Sequence, residues 1–161
     1  MSNTYHHLVR IEADTVVPMI HITRDFDAAP AQVMRAHIDP GLFARWNGPD
    51  GMRVTILDWQ ATTGGRWRYR AERDGTAYGF HGCFHEVGDM RIVQTFTFDG
   101  MPEAVSLETL ALTDLGNGRT RLSAHSLVES FEARDQWLVS GMEVGVEQGY
   151  AKLDALLGVR S

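Results

Sequence analysis

The sequence predicts an α+β domain in which an antiparallel meander of strands packs against one long C-terminal helix. Three observations predict it. Strand-like runs follow one another with only short turn formers between them, residues 130–157 carry the periodicity of a one-sided helix, and no repeat, low-complexity tract or linker divides the chain.

The first strand is expected from Thr15 to Phe26, where Val16, Val17, Ile20, Ile22 and Phe26 are interleaved with polar residues. Pro18 places its beginning at a sheet edge, because proline cannot donate to a ladder. The stretch Ala29 to Ile38 lacks strict alternation and opens with Pro30, which suits a first helical turn. A short helix is expected there, followed after Asp39-Pro40-Gly41 by another turn of helix over Leu42 to Trp46. Asn47-Gly48-Pro49-Asp50-Gly51 then reads as a turn.

Further strands are expected over Val54–Trp59, Arg66–Arg73, Ala77–Val87, Ile92–Phe98, Val105–Thr113 and Thr120–Val128. The punctuation between them, Gly64-Gly65, Asp74-Gly75, Gly88-Asp89 and Gly116-Asn117-Gly118, is hairpin chemistry. The segment from Ser130 to Leu157 reads as one helix with Ser130 as N-cap and Glu132 in the first turn. On a helical wheel Leu138, Met142, Gly145, Val146, Gly149, Leu153 and Leu156 share a face within about 100°, with Glu143, Glu147 and Asp154 opposite.

Composition narrows the function. A chain of 161 residues fits one domain and buries roughly two-thirds of its unfolded surface. Cys83 is the sole cysteine, so no internal disulfide forms, no oxidising compartment is required, and a cytoplasmic location is the simplest reading. No apolar run approaches the roughly 20 residues of a membrane span. With 15 basic and 21 acidic residues the net charge of -6 disfavours nucleic acid and anionic lipid as partners.

The glycines of the last helix bear on function, since each interior glycine costs about 1 kcal/mol against alanine. On the inward face, Gly145 and Gly149 either allow close approach to the sheet or leave room for a ligand. The Asp74-Gly75 turn sets a register that places Tyr69 opposite Phe80, Trp67 opposite Gly82 and Ala71 opposite Tyr78 on the apolar side. Arg66, Arg68 and Arg70 then lie beside Cys83, His81 and Gly79 on the other. An odd loop at Gly88-Asp89 would bring Ile92, Phe96 and Phe98 to the side of Phe80 and Phe84; an even one would turn them outward. The aromatics either fill a core or, facing a glycine-relieved helix, line an apolar pocket.

His81-Gly82-Cys83-Phe84-His85 has the alternation that could bring ligands to one side of a strand, but Arg68 and Arg66 beside it oppose a cation. No metal or cofactor is expected. No nucleophile elbow or phosphate loop is present, so no catalytic residue is assigned.

Arg24-Asp25-Phe26-Asp27-Ala28-Ala29-Pro30 followed by Val33, Ala36, Asp39-Pro40, Trp46 and Gly48-Pro49 resembles the opening of the heat-shock-protein ATPase activator homologues. Gly64-Gly65-Arg66-Trp67, Asp74-Gly75, Phe80-His81-Gly82, Gly118 to Leu122, and Gly141-Met142-Glu143 with Gly145 continue the likeness. The resemblance implies a helix-grip fold of the START-like, polyketide cyclase-like superfamily. Such a fold has six or seven antiparallel strands wrapped around a long C-terminal helix, two short helices after the first strand, and a cavity between sheet and helix. Residues 16–158 are expected to form this single domain and residues 1–15 an N-terminal extension. Within that extension Leu8, Val9 and Ile11 either lengthen the first strand or pair with a second subunit as a homodimer.

The expected function is binding of a small apolar or aromatic molecule by Trp67, Tyr69, Phe80, Phe84, Phe96, Phe98, Leu138, Met142, Gly145 and Gly149. One alternative is an enzyme of cyclase or hydrolase type in the same cavity, with His37, Asp39 or Glu108 at its rim. Another is a chaperone-associated protein-interaction module using the outer face of Arg66, Arg68 and Arg70.

Overall fold

A computed structural model describes residues 8–158. The first seven residues of the N-terminal extension lie outside the described residues. The strands are β1 (Arg10–Ala13), β2 (Met19–Phe26), β3 (Arg53–Trp59), β4 (Arg66–Arg73), β5 (Thr76–Val87), β6 (Arg91–Phe98), β7 (Ser106–Gly116) and β8 (Arg119–Leu127). Helices α1 (Pro30–Ile38) and α2 (Pro40–Trp46) follow β2, and α3 (Phe131–Val139) and α4 (Met142–Leu156) close the fold. The sheet order is β1-β2-β8-β7-β6-β5-β4-β3 with antiparallel neighbours throughout. Strands β3 to β8 form the expected meander, and α1 and α2 carry the chain from β2 to the far edge.

Among the described residues, eight strands replace the expected six or seven. The additional one, β1, does not lengthen the first strand: it pairs back on β2 from Arg10 opposite Thr23 to Ala13 opposite Ile20. Asp14 makes the reversal. Its carboxylate accepts from the N–H groups of Val16 and Val17 at 2.8 and 3.0 Å and meets His21 Nε2 at 2.8 Å. The His21 contact, helped by those two N–H groups, holds the Asp14 carboxyl down to about 2. Residues Thr15 to Pro18 are therefore spent on a turn, and β2 starts only at Met19.

Helix α2 is capped by Asp39, whose side chain accepts from Leu42 N–H at 3.1 Å. The carbonyls left free at the end of α1 are taken by two indoles: Trp46 Nε1 donates to Ala36 O at 2.8 Å and Trp59 Nε1 to Ile38 O at 2.7 Å.

The predicted single C-terminal helix is broken. Ser130 caps α3 by accepting from Ala133 N–H, but Gly141 takes φ +92°, a left-handed conformation that ends one helix and starts the next. The wheel drawn through the break also misplaces Asp154. It faces inward, and its two oxygens receive Arg24 at 2.8 and 2.6 Å. Arg24, 5 % exposed, stands on the inner face of β2.

The register around Asp74-Gly75 is the expected one, with Tyr69 opposite Phe80, Trp67 opposite Gly82, Ala71 opposite Tyr78 and Arg68 opposite His81. The next hairpin reaches the expected sidedness by a different route. Val87 pairs with Ile92 across an even loop, yet Phe80 pairs with Phe98 and Phe84 with Gln94. A bulge at His85 places two residues of β5 opposite one of β6 and restores the phase. The main core joins Phe26, Val33, Met34, Trp46, Leu112, Leu122, Tyr150 and Leu153 to Trp67, Tyr69, Phe84 and Ile92.

Candidate functional site

The inner, concave face of the sheet carries the aromatic ladder. Ring centroids are separated by 5.5 Å for Trp67 and Tyr69, 5.2 Å for Tyr69 and Phe80, 5.4 Å for Phe80 and Phe96, and 5.5 Å for Phe80 and Phe98. Trp67 and Phe96 approach to 5.6 Å across Gly82. That glycine is required: a Cβ there would lie 2.7 Å from the Trp67 ring and 2.0 Å from the Thr95 carbonyl. Trp67, Tyr69 and Phe84 are buried, whereas Phe80, Phe96 and Phe98 keep accessible surface. Phe84 turns instead to Trp59, at 5.8 Å.

From the helical side Leu138 and Met142 flank the break at Gly141, both half-buried. Trp137, a residue the helical wheel left aside, lies parallel to Phe96 at 6.4 Å. Gly145 and Gly149 meet neither ladder nor vacancy. A Cβ on Gly145 would lie 3.5 Å from Pro49, and one on Gly149 3.2 Å from the Trp46 carbonyl and 3.5 Å from Gly48 N. They let α4 approach the end of α2, and Asp50 N–H reinforces the contact by donating to Gln148 at 2.7 Å.

Beside the ladder lies a polar centre that the alternation of β7 brings inward. Glu108 pairs with Gln94 of β6 on one side and Ser126 of β8 on the other. Gln94 Nε2 donates to Oε1 at 3.1 Å and Ser126 Oγ to Oε2 at 3.0 Å. Burial raises the Glu108 carboxyl above its ordinary 4.5, while the two hydrogen bonds pull the other way. The side chain nonetheless keeps accessible surface, as do Gln94, Leu110 and Ala124 around it on the same face. Tyr69 and Tyr150 are raised first by burial and then by the Glu108 charge, which places both phenols within its field. The Asn47 side chain acts on the Tyr69 phenol in the opposite direction. Trp67 Nε1 and Ser106 Oγ are buried without a hydrogen-bond partner among the described residues.

The remaining rim residues do other work. Asp39 is the α2 cap described above. His37 Nδ1 donates to Val33 O at 2.8 Å, its ring packs edge-on against Trp46, and burial holds the imidazole down to about 4, hence neutral.

On the outer face the arginines are engaged: Arg66 with Asp58 at 2.6 Å, Arg68 with Asp99 at 2.8 Å, and Arg70 with Glu72 at 2.5 Å. His81 Nδ1 meets the same Asp99 at 2.6 Å. Among the described residues no group of three or more His, Cys, Asp or Glu side chains is placed to hold a metal ion. No helix of the described chain is long and apolar enough to cross a membrane.

An antiparallel sheet curved around C-terminal helices, with short helices between its first and second long strands, defines a helix-grip domain. The chain belongs to the family of Activator of Hsp90 ATPase homolog 1-like proteins, whose sequence profile matches residues 27–158. The fold is similar to that of a Rhodobacter sphaeroides protein, at a TM-score of 0.84 and 24% identity over 96% of this chain and 100% of that one. A Mycobacterium smegmatis protein matches equally, with a TM-score of 0.84, 24% identity and 96% and 99% of the two chains covered. A Chromobacterium violaceum protein matches with a TM-score of 0.75 and 28% identity over 86% and 96%. No curated protein matches in sequence.

Proposed function

We propose that the protein binds a small apolar or aromatic molecule between the concave face of the sheet and helices α3 and α4. The observation that carries this reading is the half-buried state of Phe80, Phe96 and Phe98. They are large apolar rings that point inward and still keep surface unclaimed by the helices above them. A contiguous apolar surface of that kind favours a ligand, because each square ångström removed from water contributes roughly 25 cal/mol. Trp67 and Tyr69 form the floor, and Leu138, Met142 and Trp137 form the roof. Gly145 and Gly149 contribute by holding α4 against α2, which fixes one wall.

The test is thermal unfolding against a panel of fatty acids, sterols, flavonoids and small aromatic compounds. A ligand at about 100 times its dissociation constant stabilises by about 2.7 kcal/mol, an upward shift of several degrees for a domain of this size. The shift should be selective, and Phe96→Ala should reduce it. A panel without any shift would refute binding and leave the rings as core.

A further inference from the structure

Resting on that reading of the site, we infer that the preferred ligand carries a protonated amine, which pairs with Glu108 while its apolar part lies on the aromatic ladder. The carboxyl group stands on the concave face with both oxygens receiving donors, Gln94 Nε2 and Ser126 Oγ. Donors aimed at both oxygens suit an anion. Among the described residues no Arg, Lys or His forms an ion pair with it. Arg24, the buried cation of this face, is already held by both oxygens of Asp154. The site therefore presents a desolvated acid prepared for negative charge and lacking its positive partner.

The surroundings favour a cation from the ligand over a neutral donor. Phe80 and Phe96 keep accessible ring surface, which attracts an ammonium group through the ring quadrupole. The titratable groups of the packed elements that feel the Glu108 charge are the phenols of Tyr69 on β4 and Tyr150 on α4, both neutral in the physiological range and both able to accept from an ammonium. A carboxylate-bearing ligand would face repulsion from Glu108, and a purely apolar one would leave the carboxyl unmatched.

The experiment compares 2-(2-naphthyl)ethylamine, 2-(2-naphthyl)ethanol and 2-naphthylacetate by calorimetric titration, alongside the apolar panel. At pH 7 the amine should bind about tenfold or more tightly than the alcohol, with the acetate weakest. The preference should strengthen as pH rises above 4.5 and the raised carboxyl of Glu108 loses its proton. Glu108→Gln should reduce the amine-to-alcohol ratio to about one. A titration of the wild-type protein followed by carboxyl carbon NMR should move the Glu108 signal with the amine alone, which keeps the test decisive if the variant fails to fold. Equal binding of amine and alcohol, or a preference that survives Glu108→Gln, would overturn the inference. If members of the apolar panel bind and the amine does not, the inference falls while the ligand site stands; if nothing binds, both fall.

Discussion

Arg24 and Asp154 show at the scale of single residues how differently two ends of one ion pair are loaded. The arginine side chain is 6% exposed and the aspartate 30%. Removing the aspartate strands a buried cation, whereas removing the arginine leaves a carboxylate that water can reach. Asp154→Ala should therefore cost about 3 kcal/mol or more in denaturant unfolding, and Arg24→Met distinctly less, because methionine fills the same apolar space without a charge. Two buried titrations have opposite signs. His37 is neutral in the folded protein down to about pH 4 but protonates near 6.5 when unfolded. Stability from this site is thus complete above pH 6.5 and declines as pH falls toward 4, a decline that His37→Phe should flatten. Glu108 has a raised value, so the folded state binds the extra proton. Its contribution is most favourable below 4.5 and is lost as pH rises through the folded value. Glu108→Gln should accordingly raise the melting temperature at neutral pH.

Elements with strong local signals were legible in the sequence. The Asp74-Gly75 turn takes positive φ at both positions, 52° and 79°, which asparagine, aspartate and glycine favour, and that turn fixed the β4–β5 register without further information. The break between α3 and α4 was not legible, because a helical wheel passes smoothly through Gly141, and only the tertiary structure selects its left-handed conformation. The same wheel set Asp154 outward, since it could not know that a buried Arg24 waited across the sheet. The helix glycines now separate. At Gly145 an added methyl group meets Pro49 at an ordinary distance, so Gly145→Ala should stabilise by about 0.5–1 kcal/mol through helix propensity. At Gly149 the methyl would press on the Trp46 carbonyl at 3.2 Å, so Gly149→Ala should forfeit that gain and lower the melting temperature.

At the scale of the whole molecule, the apolar half of the candidate site followed from strand alternation, whereas of its polar centre only Glu108 was named, as a rim residue of the alternative enzyme reading. Glu108 alternates in phase with the inward residues Leu110 and Leu112, and Gln94 with Phe96, so the signal was present. It was overruled by the general tendency of isolated acids to face water, a tendency that fails where three neighbouring strands supply one polar side chain each. The bulge at His85 has a consequence for the shape of the grip. It makes β5 one residue longer than its partner needs, and surplus length on one side of a ladder bends the sheet as unequal layers bend a strip. Deleting His85 should keep every neighbouring side chain on its present side while flattening the curve. Such a shortened chain should fold, yet close less tightly around whatever it holds, measured as faster amide exchange in α3 and a weaker response to the best ligand of the panel.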